Sequence, residues 1–281
     1  MTVVEEVQDP SCELDLETAR QKSKRAKVGD IQEYEFKPKN FGRIPAQNAK
    51  QVIVQAIREA ERGKLIEEYE KKTEGIITGT VMIIERVTGN VILEFENTQA
   101  TLAKCEQLPT DRFKVGDHVK VYVCEVKKET RNPIIVLSRT HPNFIKRLFE
   151  AEVPEIQDGT VIIQSISREA GSRTKLAVYS RDENVDAIGS CIGLKGMRKN
   201  SILREVAGEK IDLIRYSEDP AEYIAASLAP AEVLAVNMNE DKSCQVVVAP
   251  DQLSLAIGRE GQNVRLAARL TGYKIDIKAQ S

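Results

Sequence analysis

The chain has 281 residues, of which 41% are hydrophobic and 30% charged, and this length suggests about two or three domains. Its formal net charge of −2 excludes a globally cationic surface, so any affinity for nucleic acid must come from local clusters of lysine and arginine. No apolar run approaches the roughly 18 residues needed to cross a bilayer, and the N-terminus lacks a signal-peptide pattern, so we predict a cytoplasmic protein with no membrane contact.

Five cysteines and two histidines are scattered through the sequence. The cysteines form no CxxC pair, and their odd number argues against a disulfide framework. The histidines, His118 and His141, are far apart and have no cysteine at ligand spacing. We therefore predict reduced cysteines, no metal and no cofactor.

Residues 1–73 predict a partial α/β domain that ends in a long helix. A short apolar start, a helix over Asp15–Lys24 and an alternating strand over Ile31–Phe36 come first. From Pro45 onward, apolar residues recur at three- and four-residue spacing, which predicts an amphipathic helix that runs to about Thr73. We interpret this helix as a connector to the next domain.

Residues 74–140 predict a small barrel of five short strands. Turn signals such as Thr88-Gly89-Asn90 and Val115-Gly116-Asp117 separate β-type runs at regular spacing. The predicted strands are Gly75–Ile84, Val91–Phe95, Ala100–Lys104, His118–Val126 and Ile134–Leu137. This order, with its closing Val136–Arg139, resembles the S1 type of OB-fold RNA-binding domain.

Barrels of this kind bind single strands through exposed aromatic and basic side chains. The candidates here are Arg86, Phe95 and Lys104. Glu94 and Glu96 flank Phe95 with the wrong charge for phosphate, and the alternative is that Phe95 packs inside the barrel. We expect the barrel to assist RNA binding and not to dominate it.

An internal repeat occupies the remainder of the chain. Two glycine-bracketed loops, Gly193–Gly196 and Gly258–Gly261, share a flanking isoleucine, a following helix and a closing strand. Around each loop the hydrophobic pattern predicts the order α-β-β-α-α-β, over residues 141–217 and 218–281. This order, with GxxG between paired helices, resembles the type II KH domain. Only Arg215–Asp219 separates the two copies, so we expect them to dock rigidly.

The loops have the chemistry of a phosphate clamp. Two glycines allow a tight turn that approaches a sugar–phosphate chain, and the following helix offers the positive end of its dipole. KH loops hold about four nucleotides of backbone in this way. The predicted RNA-binding residues are Gly193, Leu194, Lys195, Gly196, Arg198 and Lys199 in the first copy and Gly258, Arg259, Glu260, Gly261, Asn263 and Arg265 in the second.

The two loops differ in charge. Lys195 predicts that the first loop contributes more phosphate affinity. Glu260 opposes phosphate, so we expect the second loop to contribute extension and base stacking. The alternative is that both loops are tight inter-helix turns with no ligand.

The domain order and several local segments resemble the NusA family of bacterial transcription elongation and termination factors. The matching segments are Phe41–Arg62, Glu152–Ile156, Ala170–Val178 and Ala256–Ala267. The resemblance implies a monomeric, non-enzymatic regulator that binds core RNA polymerase through its N-terminal domain and the nascent single-stranded transcript through the other three domains. It implies effects on pausing, termination and, with other antitermination factors, antitermination. The family's N-terminal domain has a helical hairpin and further strands ahead of the segment that begins here at Met1, so we expect a shortened or truncated N-terminal domain.

Two other functions use the same modules. S1 and KH modules occur together in exoribonuclease assemblies, which leaves an RNA-decay or processing adaptor as an alternative, and a ribosome-assembly or translation factor is a third interpretation. An enzyme is disfavoured because the sequence has no Walker A loop, no HExxH motif, no nucleophile elbow and no clustered acids for two-metal hydrolysis.

Overall fold

The computed structural model describes residues 2–4, 7, 13–23, 25–31, 43–96, 98–128 and 133–280, and the chain forms two compact units, Met1–Glu59 and Ala60–Ser281. The first unit contains a parallel pair, β1 (Thr2–Val4) and β2 (Glu13–Asp15), followed by α1 (Leu16–Lys22). Val3, Ala19 and Ala26 form its buried cluster.

The start of α1 follows from its capping residue. The Asp15 carboxylate accepts a hydrogen bond from the Thr18 amide at 3.4 Å, and the contact with Thr18 lowers the pKa of Asp15. The sequence did not predict β2. Ile31 makes an antiparallel bridge to Thr2, and the rest of the predicted strand over residues 32–36 lies outside the described residues.

The predicted connector is α2 (Arg43–Lys71), a continuous helix. Its last turns pack on the barrel, where Tyr69 is buried and meets Phe95 edge-on with ring centroids 6.3 Å apart. The Lys72 ammonium lies 5.0 Å from the centroid of the Tyr69 ring and 2.7 Å from Glu68 Oε1. An aromatic contact therefore joins the end of the connector to the barrel core.

The predicted barrel strands are all present. They are β3 (Ile76–Ile84), β4 (Val91–Glu94), β5 (Gln99–Leu102), β6 (His118–Lys127) and β7 (Ile134–Ser138). In the described part of the barrel they form one antiparallel sheet in the order β5-β4-β3-β6-β7, and β5 lies against β7, which nearly closes it. The third strand ends at Leu102, before the predicted Lys104, because Lys104–Glu106 forms a 3₁₀ turn.

The predicted repeat is confirmed as two modules of α-β-β-α-α-β order, and residues 133–280 are described without a gap. The first module contains α3 (Pro142–Glu152), α4 (Pro154–Gln157), β8 (Val161–Glu169), β9 (Arg173–Ser180), α5 (Ala187–Ile192), α6 (Met197–Glu205) and β10 (Lys210–Arg215). The second contains α7 (Pro220–Ser227), β11 (Val233–Met238), β12 (Ser243–Val248), α8 (Leu253–Ile257), α9 (Gln262–Thr271) and β13 (Lys274–Ala279). The short helix α4 was not predicted.

Both modules have the same sheet topology and similar helix starts. In each, the first two strands are antiparallel and the closing strand runs parallel to the middle one. Pro142 and Pro220 occupy the first turns of α3 and α7, where a missing backbone N–H costs nothing. The Asp219 carboxylate caps α7 by accepting from the Ala221 amide at 2.9 Å.

The barrel and the first module share one hydrophobic core. Leu108 and Tyr122 of the barrel are buried with Phe144 and Phe149 of α3. Arg139 crosses this boundary with a side chain 3% exposed; its guanidinium donates to both Asp111 carboxylate oxygens at 2.9 and 3.1 Å. It also donates to the backbone oxygens of Lys120 and Glu205, and it lies 5.2 Å from the Phe144 ring centroid. The boundary is therefore tightly packed.

A buried ion pair lies inside the first module. Arg168 and Glu209 are both fully buried, with Arg168 Nη2 2.8 Å from Glu209 Oε2. Glu209 also accepts from the Thr174 hydroxyl and the Gly171 amide, and Arg168 donates to His141 O at 2.8 Å. Each partner is thus satisfied beyond the pair itself, as buried charges require.

The first module's own core and the second module cover opposite faces of β9. Along β9, Leu176 and Val178 lie in the core shared with the barrel. Ala177, on the other face, packs with Tyr223 and Leu270 of the second module. Alternation along a strand explains this division, since successive side chains point to opposite faces. The sheet of the first module is therefore covered on both sides.

Within the residues that the structure describes, no helix is long and apolar enough to cross a membrane. Over the same residues, no three His, Cys, Asp or Glu side chains meet as a metal ion would require. The four described cysteines are free, and burial raises the pKa of the Cys191 thiol to about 12.

Candidate nucleic-acid interface

The first loop (Gly193–Gly196) and the second loop (Gly258–Gly261) have the same backbone conformation. Gly193 and Gly258 have φ/ψ of 72°/176° and 75°/173°. The third residues, Lys195 and Glu260, have 50°/28° and 53°/29°. Gly196 has 77°/12° and Gly261 has 71°/15°. The repeat therefore extends from sequence to local geometry.

The first glycine of each loop is required by space as well as by φ. A Cβ on Gly193 would lie 2.7 Å from Arg198 Cγ, and one on Gly258 would lie 2.8 Å from the backbone nitrogen of Asn263. The second glycines are less crowded; a Cβ on Gly196 would lie 3.4 Å from Asn200 Nδ2. Their positive φ alone favours glycine there.

Arg198 and Asn263 occupy matching positions and hold the two loops in the same way. Arg198 Nη1 donates to Ser190 O at 2.7 Å, and Asn263 Nδ2 donates to Leu255 O at 3.3 Å; Ser190 and Leu255 also match in the repeat. We call each of these contacts the clasp of its loop. A clasp joins the helix after the loop to the helix before it.

Arg198 and Asn263, two of the predicted RNA-binding residues, are the donors of the clasps. Asn263 is fully buried and also donates to the backbone oxygens of Leu228 and Ala256. Arg198 is partly buried, and its Nη1 lies 2.8 Å from Glu155 Oε2. The sequence pattern suggested that both side chains face a ligand, but both are turned into the protein, where they donate to carbonyl groups in the last turn of the preceding helix.

The exposed part of the first loop is apolar and cationic. Leu194 is 80% exposed, Met197 is 66% exposed, and Lys195 is exposed between them. Lys199 follows on the same helix and is partly exposed. The amides of Gly196 and Met197 donate to Gly193 O and Leu194 O within the turn, so the start of α6 contributes the positive end of its dipole beside Lys195. This arrangement suits a phosphate next to an apolar base or ribose.

The exposed part of the second loop has mixed charge. The side chains of Arg259 and Glu260 are 92% and 82% exposed, and Arg259 Nε lies 3.6 Å from Glu260 Oε1. Arg265 is turned toward the first module, where its Nε donates to Glu169 Oε1 at 2.7 Å. Of the two predicted cations in this copy, Arg259 is therefore the more exposed, at 92% against 45% for Arg265.

Comparison with known proteins agrees with this geometry. Residues 139–216 match the NusA-like first KH domain, residues 220–281 the NusA-like second KH domain, and residues 1–63 the NusA N-terminal domain. The transcription termination/antitermination protein NusA of Halalkalibacterium halodurans is 48% identical over 281 residues, which cover 99% of this chain and 73% of that protein. The chain belongs to the NusA family.

Other members of the NusA family are similarly close. The NusA protein of Bacillus subtilis is 48% identical over 281 residues, covering 99% of this chain and 75% of its own. That of Thermus thermophilus is 42% identical over 274 residues, covering 97% of this chain and 70% of its own. Both carry the name transcription termination/antitermination protein. The family resemblance read from the sequence is therefore confirmed.

The barrel of this NusA family member contains three predicted RNA contacts, of which one is buried and two are exposed. Phe95 is 8% exposed and lies in the barrel core, where it fills the space beside Gly79. It is therefore a packing residue, because it lies on the same strand face as Leu93. Arg86 and Lys104 are exposed, and a Cβ added at Gly89 would lie 3.2 Å from Lys104 Cδ.

Two polar residues between the modules were not singled out from the sequence. Glu169 accepts hydrogen bonds from two residues of α9, and Lys175 is fully buried with its ammonium 2.8 Å from Ala229 O. Burial lowers the pKa of Lys175 to about 8, although Asp212 opposes this shift. The sequence gives little signal for Lys175, since Arg173 lies on the same face of β9.

Proposed function

We propose that this chain is an RNA-binding transcription factor that holds the nascent single-stranded transcript on its two loops and modulates pausing, termination and antitermination. The observation that carries the proposal is the shared backbone of the two loops, each followed by a helix start. The names of the NusA relatives support the biological process.

Phosphate binding is assigned chiefly to the first loop. Lys195 supplies an exposed charge, the glycines let a sugar–phosphate backbone approach, and Leu194 offers an apolar surface to a base. Arg259 extends the track on the second loop. Arg198 and Asn263 hold together the two helices that flank each loop. Arg86 and Lys104 of the barrel assist RNA binding as exposed cations.

Polymerase binding is assigned to the N-terminal unit. Residues 1–63 match the NusA N-terminal domain, and the NusA relatives are named for transcription termination and antitermination. We infer that the chain binds core RNA polymerase there, works with other antitermination factors, acts in the cytoplasm as a monomer and catalyses no reaction.

The RNA part of the proposal is tested by changing the exposed residues of the first loop. The double substitution Leu194→Asp with Lys195→Asp should weaken binding of a single-stranded RNA of about 20 nucleotides by at least about tenfold, or about 1.4 kcal/mol. The slope of affinity against salt should also become shallower, because one phosphate contact is lost. Fluorescence anisotropy at two salt concentrations measures both effects.

The first unit offers a matched control. Lys27→Asp with Val28→Asp makes the same chemical change at an adjacent lysine and exposed valine. Its RNA affinity should remain close to that of the unchanged chain. Equal losses of RNA affinity in both double variants would mean that the change in net charge alone causes them, and the first loop would then have no specific role in RNA binding.

The polymerase part is tested by pull-down of core RNA polymerase with the whole chain and with a version that lacks residues 1–44. We expect polymerase to be retained by the whole chain and lost by the shortened one. If neither retains polymerase and a nuclease co-purifies instead, the chain is an adaptor of an RNA-decay assembly.

A further inference from the structure

Glu169, at the end of β8, connects the first module to the helix that follows the second loop. Its Oε1 accepts from Arg265 Nε at 2.7 Å, and its Oε2 accepts from Gln262 Nε2 at 2.8 Å. Arg269 Nη1 lies 3.8 Å from Oε1. Gln262 Nε2 also donates to Ser172 Oγ, in the β8–β9 turn, at 2.7 Å. The contact with Arg265 lowers the pKa of Glu169.

The connection continues into the loop itself. Arg265 donates through Nε to Glu169 and through Nη1 to the backbone oxygen of Glu260 at 3.3 Å. Glu260 has a left-handed backbone, a conformation that residues other than glycine adopt at a cost. A carboxylate of the first module is therefore joined, through one arginine, to the main chain of the second loop.

The helix α9 has a separate anchor at its other end. Leu270 O accepts from Tyr223 OH at 3.3 Å and from Ser165 Oγ at 3.2 Å, and Ser165 belongs to the first module. At 1.5 Å per residue this point lies about 12 Å along α9 from Gln262. The buried cluster of Ala177, Tyr223 and Leu270 and the hydrogen bond from Lys175 to Ala229 O also join the modules away from the loop. At the loop end of α9, Glu169 supplies three of the four polar contacts given above and Ser172 the fourth, so removal of Glu169 loosens that end.

We propose that Glu169 is a positioning residue that fixes the second loop relative to the first, so that one RNA strand engages both loops together. This inference rests on the proposed function. Rigid spacing matters because a second binding event gains affinity only when linked sites can be occupied simultaneously. Glu169 thereby contributes to RNA binding without touching RNA.

Charge alone predicts the opposite effect of removing this carboxylate. Glu169 holds Arg265 and lies near Arg269, and a negative charge beside the track repels phosphate. If electrostatics alone set the RNA affinity, loss of the Glu169 carboxylate would free both arginines and strengthen RNA binding. The positioning role requires that the binding of a long RNA weaken instead. The sign of the change therefore separates the two explanations.

The test measures anisotropy for the whole chain with two unstructured RNAs, one of about five nucleotides that fits a single module and one of about 20 that can reach both. In Glu169→Ala, the preference for the longer RNA should fall by at least about tenfold, since the linked-site advantage is lost. Affinity for the short RNA should stay within about twofold, because each loop remains intact. Glu169→Gln keeps an oxygen that can accept from Arg265, so it should retain an intermediate preference.

Glu240→Ala is the matched control, because it removes an exposed acid in the turn between β11 and β12. It should keep the preference for the longer RNA. Residual dipolar couplings of the whole chain supply a readout without RNA: both modules should share one alignment tensor in the unchanged protein and differ in Glu169→Ala.

The outcomes are distinct. An unchanged preference in Glu169→Ala, or tighter binding of both RNAs, would overturn the positioning role while leaving the proposed function intact. If the unchanged chain binds neither RNA, the proposed function fails and this inference fails with it.

Discussion

Lys175 lies between the two modules with its side chain fully buried, and its ammonium donates to Ala229 O. Burial lowers its pKa from 10.5 to about 8. Below about pH 8 the lysine is protonated in both the folded and the unfolded chain, and the folded state carries a cost of about 3 kcal/mol. Between about pH 8 and 10.5 the unfolded chain binds more protons, so this cost disappears as the pH rises.

Replacement of Lys175 by methionine should therefore remove this pH dependence of the free energy of unfolding. The free energy of unfolding of the unchanged chain, minus that of Lys175→Met, should increase by up to about 3 kcal/mol between pH 7 and 10.5. Urea unfolding at several pH values measures this difference. The exposed Lys278→Met should show no such trend. A difference that stays flat with pH for Lys175→Met would contradict a lowered pKa at this lysine.

Single residues were the hardest feature to predict from sequence. Phe95 directly follows β4 and alternates with the buried Leu93, whereas Glu94 between them is exposed, so periodicity did indicate the burial of Phe95. Arg198 and Asn263 gave no such signal, because a sequence shows which side chains can donate but not which way they turn. The contact between Glu169 and Arg265 spans 96 residues, and no local pattern indicates a partner so distant.

At the scale of elements, the two loops combine a strained backbone with an exposed charge. Lys195 and Glu260 both have positive φ, at 50° and 53°. Glycine relieves such strain by about 1 kcal/mol. Both side chains are exposed, and the contact of Glu260 with Arg259 is a surface ion pair of little energy, so the side chains act chiefly on the ligand. Stability and RNA binding are thus separable at these positions.

The substitutions Lys195→Gly and Glu260→Gly make a matched pair. Both should stabilise the folded chain by up to about 1 kcal/mol, because the backbone strain is the same. Their effects on RNA should have opposite signs: Lys195→Gly loses a phosphate contact and weakens binding, whereas Glu260→Gly loses a repulsion and strengthens it. Thermal unfolding and anisotropy measure the two quantities. Destabilisation by both substitutions would show that the side chains support the loops.

The elements themselves follow closely from the sequence. Recurring glycines indicated the loops, and hydrophobic residues at periods of two and 3.6 indicated the strands and helices around them. The helix α4 was missed because four residues are too few to show a period. Strand β2, with three residues, was missed for the same reason. Both are set by tertiary contacts more than by local pattern.

For the second unit as a whole, the shared core makes the barrel and the first module one cooperative structure. Arg139 occupies the boundary, and Asp111, its partner, is 8% exposed. Arg139→Met should lower the free energy of unfolding by about 3–5 kcal/mol, because it leaves a buried carboxylate without its cation. Urea unfolding measures the loss.

Hydrogen exchange then locates the effect. Protection of β6 in the barrel and of β9 in the first module should fall together in Arg139→Met. The exposed pair Arg215–Asp186 provides the control, since Arg215→Met should cost less than about 1 kcal/mol. Loss of protection in the barrel alone would mean that the boundary transmits little stability.

The two clasps carry a historical consequence. If the modules descend from one duplicated ancestor, the carbonyls at Ser190 and Leu255 kept a donor on the opposite helix while that donor diverged into arginine in one copy and asparagine in the other. The main-chain shape of the turn is then independent of the charge displayed on it, which is positive at Lys195 and negative at Glu260.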